Sequence, residues 1–474
     1  MTTIGETGAE TREDIPLKSG TKSTSLCICN EDCLGGSRFI NISFGTLTFV
    51  ITIALVVQIY YGDYQVIPHG SVATDNFNCS KIGTSILKEN GNAVDAAIAS
   101  AICLAVTNPH VTGLDAEGQI LIYNHRSRNT PVIIDFTGTN VVSEHLPKLI
   151  LGLAYIHIEY GNIEWKKLIQ PSVDIARYGF RVQKVLLQAI KAAKLEDLFP
   201  RIENDQILVL EALAETLEKI ANIPESELSS YITITNEPSH FEAVKSTFSN
   251  YDVFVPNIPS AGPSLLANLE RIEKLNYSNN ISAAEYVYRI AESTEQIYSE
   301  LNITSKFEEG TSSNIAVMDL HDNYVSLITG MTALFGSKEL TSGGYFFDGN
   351  LGHKHASRIP IILTDANVIC GRRIVFGAND ISTATQLITS LVVSKQNATE
   401  SVEAPRFHIL SQGGLGLEDF PAPSFNDEAL KYLNTLSQPI VLQEPYSSSN
   451  IVEKVKDDLS SHSDSRGGGI ASRF

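Results

Sequence analysis

The chain has 474 residues, of which 43% are hydrophobic and 19% charged, and 54 acidic against 35 basic residues give a formal net charge of −19. With a mean hydropathy of +0.01 this composition is that of a folding protein, which excludes disordered, collagen-like and polytopic membrane chains. The acidic excess argues against nucleic acid as the main partner, because phosphate binding needs a basic surface.

A single apolar segment near the N-terminus predicts a membrane anchor. Residues 39–62 are 24 consecutive residues without a charge, long enough for a helix to cross about 30 Å of hydrocarbon. Basic residues precede this segment at Arg12, Lys18, Lys22 and Arg38. By the positive-inside rule the N-terminus is then cytosolic. We therefore predict a single-pass type II plasma-membrane protein with a disordered cytosolic tail over 1–38 and an extracellular C-terminal part.

The predicted extracellular part carries several features that suit an oxidising compartment. Five N-x-S/T sites are candidates for glycosylation: Asn78, Asn276, Asn280, Asn302 and Asn397. The cysteines Cys79, Cys103 and Cys370 predict one disulfide and one leftover thiol. Cys79 and Cys103 fall on two adjacent predicted helices and are a plausible pair, whereas Cys370 is expected to be a buried free thiol.

The remaining sequence alternates between helical and strand-like patterns. Helices are predicted at 79–89, 93–106, 282–300, 381–395 and 427–437, with a long helical region over 145–218. Strands are predicted at 119–123, 131–136, 315–318, 324–329, 344–347, 359–363 and 368–376. The mixture of helices with consecutive strands favours α+β layers over a barrel.

Six segments resemble the γ-glutamyltransferase (glutathione hydrolase) family and follow each other in that family's order. They are His69 to His110 (with GNAVDAAIA), Gln170 to Phe180 (QPSVDIARYGF), Pro259 to Pro263 (PSAGP), Leu334 to Ser337 (LFGS), Val402 to His408 (VEAPRFH) and Ser463 to Gly469 (SDSRGGG). The resemblance implies an N-terminal nucleophile (Ntn) hydrolase fold, a four-layer αββα sandwich. It also implies a Cys79–Cys103 disulfide, as in animal members, and no cofactor or metal.

The same resemblance implies a chemistry. Members of the family cut their own chain, and the new N-terminal hydroxyl residue attacks the γ-glutamyl bond of glutathione with its own α-amine as base, whose pKa is suited to that role. Here the cut would divide the ectodomain into a large part, 63–311, and a small part, 312–474, which stay together as a heterodimer.

Counting back from the strand that ends in Val325-Ser326 places the nucleophile on Ser312. In this register Ile315 and Val317 share the buried face of the strand, while Ser312 and Asn314 share the other. Choosing Thr311 keeps the family's Gly-Thr pair but reverses that alternation.

Several positions that bind substrate in the family are substituted. Thr137 replaces an arginine, Asn314 a histidine, Asn350 a glutamate and Gly352 an aspartate, Ala356 and Ser357 stand for a serine pair, and Asn379 lies where a glycine pair supplies oxyanion-hole amides. Nearby arginines at 358, 372 and 373 could substitute for the lost charge. Losing one oxyanion donor typically lowers a rate by about 10² to 10³. Two hypotheses remain open: an active glutathione hydrolase or γ-glutamyltransferase, and a catalytically inactive cell-surface binding or scaffolding protein.

Overall fold

A computed structural model describes residues 31–61, 68–137, 147–199, 202–224, 227–228, 230, 238–274, 281–302, 307–308, 311–349, 355–410, 413–420 and 425–474. The chain divides into two units, residues 1–65 and 66–474. In the first unit, helix α1 (Glu31–Tyr61) begins ahead of the predicted start at residue 39. Its segment Arg38–Gln58 has 21 residues and is, among the described helices, the one long and apolar enough to span a membrane.

The second unit contains the remaining helices and all the strands. The helices are α2 (Phe77–Lys88), α3 (Ala93–Thr107), α4 (Lys148–Tyr160), α5 (Trp165–Tyr178), α6 (Lys184–Ala193), α7 (Glu211–Ala221), α8 (Gly262–Lys274), α9 (Ala283–Glu300), α10 (Ile381–Val392), α11 (Ala398–Glu403) and α12 (Asp427–Leu436). The strands are β1 (Ser71–Ala73), β2 (Glu117–Asn124), β3 (Val132–Asp135), β4 (Phe180–Arg181), β5 (Ile207–Leu208), β6 (Ser239–Glu242), β7 (Val244–Phe248), β8 (Tyr251–Val255), β9 (Phe307–Glu308), β10 (Ser313–Met318), β11 (Asn323–Gly330), β12 (Glu339–Leu340), β13 (Phe346–Phe347), β14 (His355–Ala356), β15 (Ile359–Asp365), β16 (Arg372–Ala378), β17 (Phe407–Ile409), β18 (Leu415–Leu417), β19 (Ile440–Val441), β20 (Ile451–Val455), β21 (Asp458–His462) and β22 (Ser472–Arg473).

Two large sheets face each other and helices cover their outer sides. One sheet has the order β22-β1-β10-β11-β2-β3-β6 and the other the order β21-β20-β16-β15-β8-β7. Three hydrophobic cores follow from this arrangement: one between the first sheet and its helices, one between the second sheet and its helices, and a smaller one between the sheets. The predicted four-layer αββα sandwich is confirmed.

Strand β10 illustrates how the sequence specifies these layers. Ile315 and Val317 pack in the core beneath the helices, as predicted, whereas Ala316 and Met318 pack in the core between the sheets. Both faces of the strand are therefore buried, not one, because a second sheet covers the face that the alternation left open.

The structure differs from the other sequence expectations in detail. The helical region predicted at 145–218 is interrupted by a short antiparallel pair, β4 with β5, because Gly179 at φ +91° ends α5. The strand predicted from Val368 begins at Arg372, after a turn. Cys370 lies in that turn and is exposed, so the expectation of a buried thiol was wrong.

The buried helix pair α2–α3 opens the second unit. Asn92 caps α3 through the N–H groups of Val94 and Asp95, and the Asp95 carboxylate accepts the Asn92 N–H, which completes a capping box. Every residue of α3 is buried. Cys79 on α2 and Cys103 on α3 are joined by a disulfide with an S–S distance of 2.04 Å.

Removing this disulfide is expected to lower the free energy of unfolding by about 3 kcal/mol, because the crosslink closes a chain segment with a sequence separation of 24. Urea unfolding of a Cys79→Ala/Cys103→Ala variant measures the loss. The exposed Cys370→Ala is the matched control and should stay within about 0.5 kcal/mol of wild type. Equal midpoints for the double variant and the control would contradict the expectation.

Candidate active site at the edge of the two sheets

The start of β10 and the end of β16 meet at one edge of the sandwich. The two strands belong to different sheets, and they approach closely because β16 has a glycine there: a Cβ on Gly377 would lie 2.9 Å from the Cβ of Asn314. Ser312, just before β10, and Asn379, just after β16, are thereby brought together.

The Ser312 hydroxyl is engaged by an amide side chain. Its Oγ donates a hydrogen bond to Oδ1 of Asn379 at 2.8 Å, and Ser312 is buried. The Ser357 hydroxyl donates to the backbone carbonyl of Asn379 at 2.7 Å. Three of the residues singled out from the sequence thus form one hydrogen-bonded group. An amide oxygen accepts this bond but does not take up a proton near neutral pH, so Asn379 positions the hydroxyl without activating it.

Thr311, the alternative nucleophile, is held mainly by backbone. Its N–H donates to the Met331 carbonyl at 3.0 Å, and its hydroxyl lies 3.3 Å from the Val111 carbonyl oxygen. Arg358 donates from Nη2 to the same Met331 carbonyl at 2.7 Å. Of the three arginines considered as substitutes, Arg358 therefore reaches this edge.

The other two arginines lie at the opposite end of β16. Arg372 pairs with Glu453 at 2.8 Å, and Arg373 donates to the Lys454 carbonyl at 3.4 Å. Both residues begin the strand whose last residue precedes Asn379, so neither can serve the Ser312 site.

A small cavity of about 30 Å³ adjoins Ser312. Its lining includes Asp75, His110, Thr311, Ser312, Ser448 and Arg466. A water needs roughly 10 to 15 Å³, whereas ligand pockets usually measure about 300 to 1,000 Å³. The described space beside Ser312 therefore has the size of a few water molecules, well below that of usual ligand pockets.

Two residues of the cavity wall carry buried titratable groups. Burial lowers the pKa of His110 to about 3, so its imidazole is neutral, and no residue in the described ranges hydrogen-bonds to its Nδ1. Burial raises the pKa of Asp75, although Ser313 Oγ and Asn450 Nδ2 both donate to its carboxylate. Neither residue was assigned a role from the sequence.

The Thr137 side chain is occupied within its own segment. Its N–H and hydroxyl both donate to Asp135 Oδ1, at 2.8 and 2.7 Å, while Gln119 Nε2 donates to the other carboxylate oxygen at 3.1 Å. Burial raises the pKa of Asp135 to about 6 despite these hydrogen bonds. The polar groups of Thr137 are thus occupied by an acid of its own segment.

Asp348 also faces inward. Its Oδ1 accepts hydrogen bonds from the N–H and hydroxyl of Thr332, both at 2.9 Å, and its own N–H donates to Asp115 Oδ2 at 2.9 Å. The nearby Lys148 lies 3.4 Å from Glu117. Asn350 and Gly352 lie outside the described residues, so their placement is not described.

Asn314 joins the two sheets and does not line the cavity. Its Nδ2 donates to the Asn450 carbonyl at 2.9 Å, and its Oδ1 accepts the Asn450 N–H at 2.6 Å. The side chain is completely buried. Asn314 therefore helps to hold the sheets together and is not available to a ligand in the cavity.

Comparisons with known proteins give this geometry a context. The gamma-glutamyltranspeptidase family model matches residues 79–146 and 145–231. Glutathione hydrolase 7 of Homo sapiens is 23% identical over 90% of this chain and 80% of its own length. Glutathione hydrolase 2 of Arabidopsis thaliana is 26% identical over 54% of each chain. By sequence the chain is similar to the gamma-glutamyltranspeptidase family. Cephalosporin acylase from Bacillus halodurans shares the fold, with a TM-score of 0.68 and 16% identity over 86% of this chain and 96% of its own.

A charged network supports the site, and it is defined by Asp380, His408, Glu418, Asp464 and Arg466, with Arg406 at its end. His408 Nδ1 contacts Asp380 Oδ2 at 2.9 Å, and Nε2 contacts Glu418 Oε1 at 2.8 Å. Arg466 pairs with Glu418 and Asp464, and Asp464 also accepts from Arg406 Nη2 at 2.7 Å. With His408 protonated, three positive and three negative charges balance.

This charged network holds Asn379, the hydrogen-bond partner of Ser312, in position. Asp380 follows Asn379 directly and caps α10 by accepting the Thr383 N–H, so its contact with His408 holds the Asn379 backbone. Arg466 lies at the other end and lines the cavity. His408 and Arg466 belong to the segments VEAPRFH and SDSRGGG, whose family resemblance was the one signal that could have located them.

Proposed function

We propose that this chain is a single-pass type II membrane protein whose extracellular domain keeps the gamma-glutamyltranspeptidase fold without its hydrolytic activity and serves as a binding or scaffolding protein at the cell surface. The observation that carries the proposal is the Ser312–Asn379 hydrogen bond beside a cavity of about 30 Å³. Within the described part of the chain, Asn379 is the one hydrogen-bond partner of the Ser312 hydroxyl.

The membrane topology is supported by the candidate span and its flanks. Arg38–Gln58 matches the hydrocarbon thickness, and the basic residues precede it. The Cys79–Cys103 disulfide suits an extracellular domain. Of the glycosylation candidates, Asn302 and Asn397 are exposed and Asn78 is half-buried, while Asn276 and Asn280 lie outside the described residues.

The loss of activity is supported by the contacts of the substituted positions. Thr137 is committed to internal hydrogen bonds with Asp135, and Asp348 binds Thr332 through Oδ1, while no described residue hydrogen-bonds to Asp348 Oδ2. A γ-glutamyl carboxylate at this edge would meet acidic side chains where the family offers an arginine, and each lost charge-assisted contact removes about 1.5 to 3 kcal/mol of binding free energy.

A glutathione hydrolase acting through Ser312 is the second candidate, and the cavity wall supplies the observation that favours it. The Ser312 hydroxyl lines this cavity, and cleavage before Ser312 would provide its own α-amine as the base. On this alternative the substrate is glutathione or a related γ-glutamyl compound, and the protein is a heterodimer of self-cleaved fragments.

The two candidate functions are distinguished by the release of p-nitroaniline from γ-glutamyl-p-nitroanilide, measured on the full-length protein in membranes. We expect wild type and Ser312→Ala to give the same rate as membranes without the protein. A membrane preparation containing an active family member is the positive control. Release above background that Ser312→Ala abolishes would overturn the proposal and establish the hydrolase.

A further inference from the structure

An apolar cavity of about 260 Å³ lies beside the start of α7. Strand β5, the start of α7 and the hairpin formed by β12 and β13 supply most of its wall. It shares no lining residue with the cavity beside Ser312. Its volume lies below the range of about 300 to 1,000 Å³ typical of small-molecule pockets. A single large side chain is therefore a closer fit than a drug-sized ligand.

The apolar wall of this cavity reaches the protein surface. Leu198, Val209 and Leu340 line the cavity and are 47%, 49% and 53% exposed. Ile207 and Phe347, each next in the chain to a lining residue, are exposed as well. Single exposed apolar residues are ordinary on a protein surface, but a cluster of them around a concave cavity is typical of an interaction site.

The exposed charged residues around this cavity are mainly acidic. Among the described residues within two positions of a lining residue, the exposed charged side chains are one base, Lys338, and five acids: Glu196, Asp197, Glu211, Glu215 and Glu339. These five acids form the acidic rim of the cavity. Among the described residues, only Glu211 of this rim has an ion-pair partner, Arg177, which lies 3.9 Å away and also pairs with Glu218. The acidic rim therefore carries an excess of negative charge.

An apolar cavity with an acidic rim favours a particular class of partner. A second copy of this chain, with a net charge of −19, and an anionic membrane surface would both meet like charge at the rim. A protein segment that places a large apolar side chain between lysine or arginine residues would meet opposite charge and fill the cavity. Charge complementarity therefore favours a basic protein segment with an apolar anchor.

We propose that this cavity binds a basic segment of a partner protein, with one large apolar side chain packed against Leu198, Val209 and Leu340 and the flanking basic side chains facing the acidic rim. Burial of the apolar side chain supplies most of the affinity, and the rim charges supply orientation and faster association. The inference names a partner class for the proposed binding role and rests on that role. Peptide binding is measured independently of γ-glutamyl release and self-cleavage, so a negative result overturns this inference and leaves the tests of lost activity unaffected.

Fluorescence anisotropy of the labelled peptide GKKLWKKG, titrated with the full-length protein in phosphatidylcholine nanodiscs, tests this proposal, with empty nanodiscs as the background. The peptide GKKSSKKG keeps the charge without the apolar anchor, and GEELWEEG keeps the anchor with the charge reversed. We expect saturable one-to-one binding of GKKLWKKG with a Kd below about 100 μM, and at least about tenfold weaker binding of both control peptides. Absence of saturable binding, or a smaller difference for either control peptide, would overturn the proposal.

Two double variants locate the binding. Leu198→Ser/Val209→Ser removes two exposed members of the cavity wall and is expected to weaken GKKLWKKG binding at least about tenfold. Ile440→Ser/Val441→Ser is the matched control, because both residues are exposed and neither lines the cavity, and it should bind like wild type. Equal weakening by both variants, or by neither, would overturn the proposal. Light scattering that shows a wild-type dimer, dissociated by Leu198→Ser/Val209→Ser, would assign the cavity to a second copy and also overturn it.

Discussion

Replacing Arg466 with alanine is expected to destabilise the fold by about 3 to 5 kcal/mol, because Glu418 and Asp464 each lose one of their two positive partners and the interior keeps one uncompensated negative charge. All three side chains are completely shielded from solvent, so water cannot replace the guanidinium. Urea unfolding of the purified full-length protein measures the loss as a shift of the midpoint at an unchanged slope.

Lys274→Ala is the matched control for the Arg466 variant. Lys274 pairs with Glu270 at 2.8 Å, but their side chains are 73% and 64% exposed. An exposed pair of this kind contributes at most about 0.5 kcal/mol. A loss below about 1 kcal/mol for Arg466→Ala would show that the charged network adds no more stability than a surface pair, contrary to the expectation.

Raising the pH from 7 to 9.5 is expected to destabilise the wild-type protein by on the order of 3 kcal/mol through His408. Burial by itself lowers the pKa of His408, but the carboxylates of Asp380 and Glu418 outweigh burial and raise the pKa to about 10. Because the folded pKa lies above the unfolded one, this contribution is complete below about pH 6.5 and is lost as pH rises towards 10.

His408→Gln isolates the histidine from other groups that titrate in alkali. The variant should be less stable than wild type at pH 7, because Asp380 and Glu418 lose their positive partner. The difference between the two proteins should then shrink by on the order of 3 kcal/mol by pH 9.5. A difference that stays constant across this range would mean that His408 is neutral in the folded protein.

Local patterns in the sequence were sufficient for the elements with strong periodicity or composition. The alanine-rich α3 and the β10–β11 pair were predicted within a few residues, whereas the apolar α1 was predicted at its C-terminal end but begins eight residues ahead of the predicted start at residue 39. The strands β6 to β8 and β20 to β21 were missed, because polar and charged residues such as Lys245 and Glu453 interrupt their alternation near the sheet edges. Their strand conformation depends on pairing with neighbours that are distant in the chain.

The candidate site was predictable only where a local pattern or the family resemblance identified a residue. Counting along one strand placed Ser312, and family resemblance placed Asn379 and Ser357, and the structure brings these three together. The contacts within the charged network were not predictable, since His408, Glu418 and Arg466 are separated in sequence and only the packing of β17, β18 and the C-terminal segment makes them neighbours. Thr137 lies at the same edge of the sheets as Ser312. Its hydrogen bonds to Asp135 could not be predicted from the spacing of residues in the sequence.

The most direct test of the proposed loss of activity is a reducing, denaturing gel of the full-length protein after removal of glycans, with Ser312→Ala run beside it. Self-cleavage must precede any catalysis by an N-terminal nucleophile, so the gel examines the first step of the family's chemistry. We expect a single chain of about the 51.7 kDa calculated from the sequence for both proteins. A wild-type fragment beginning at Ser312 and spanning residues 312–474, absent from Ser312→Ala, would contradict the account.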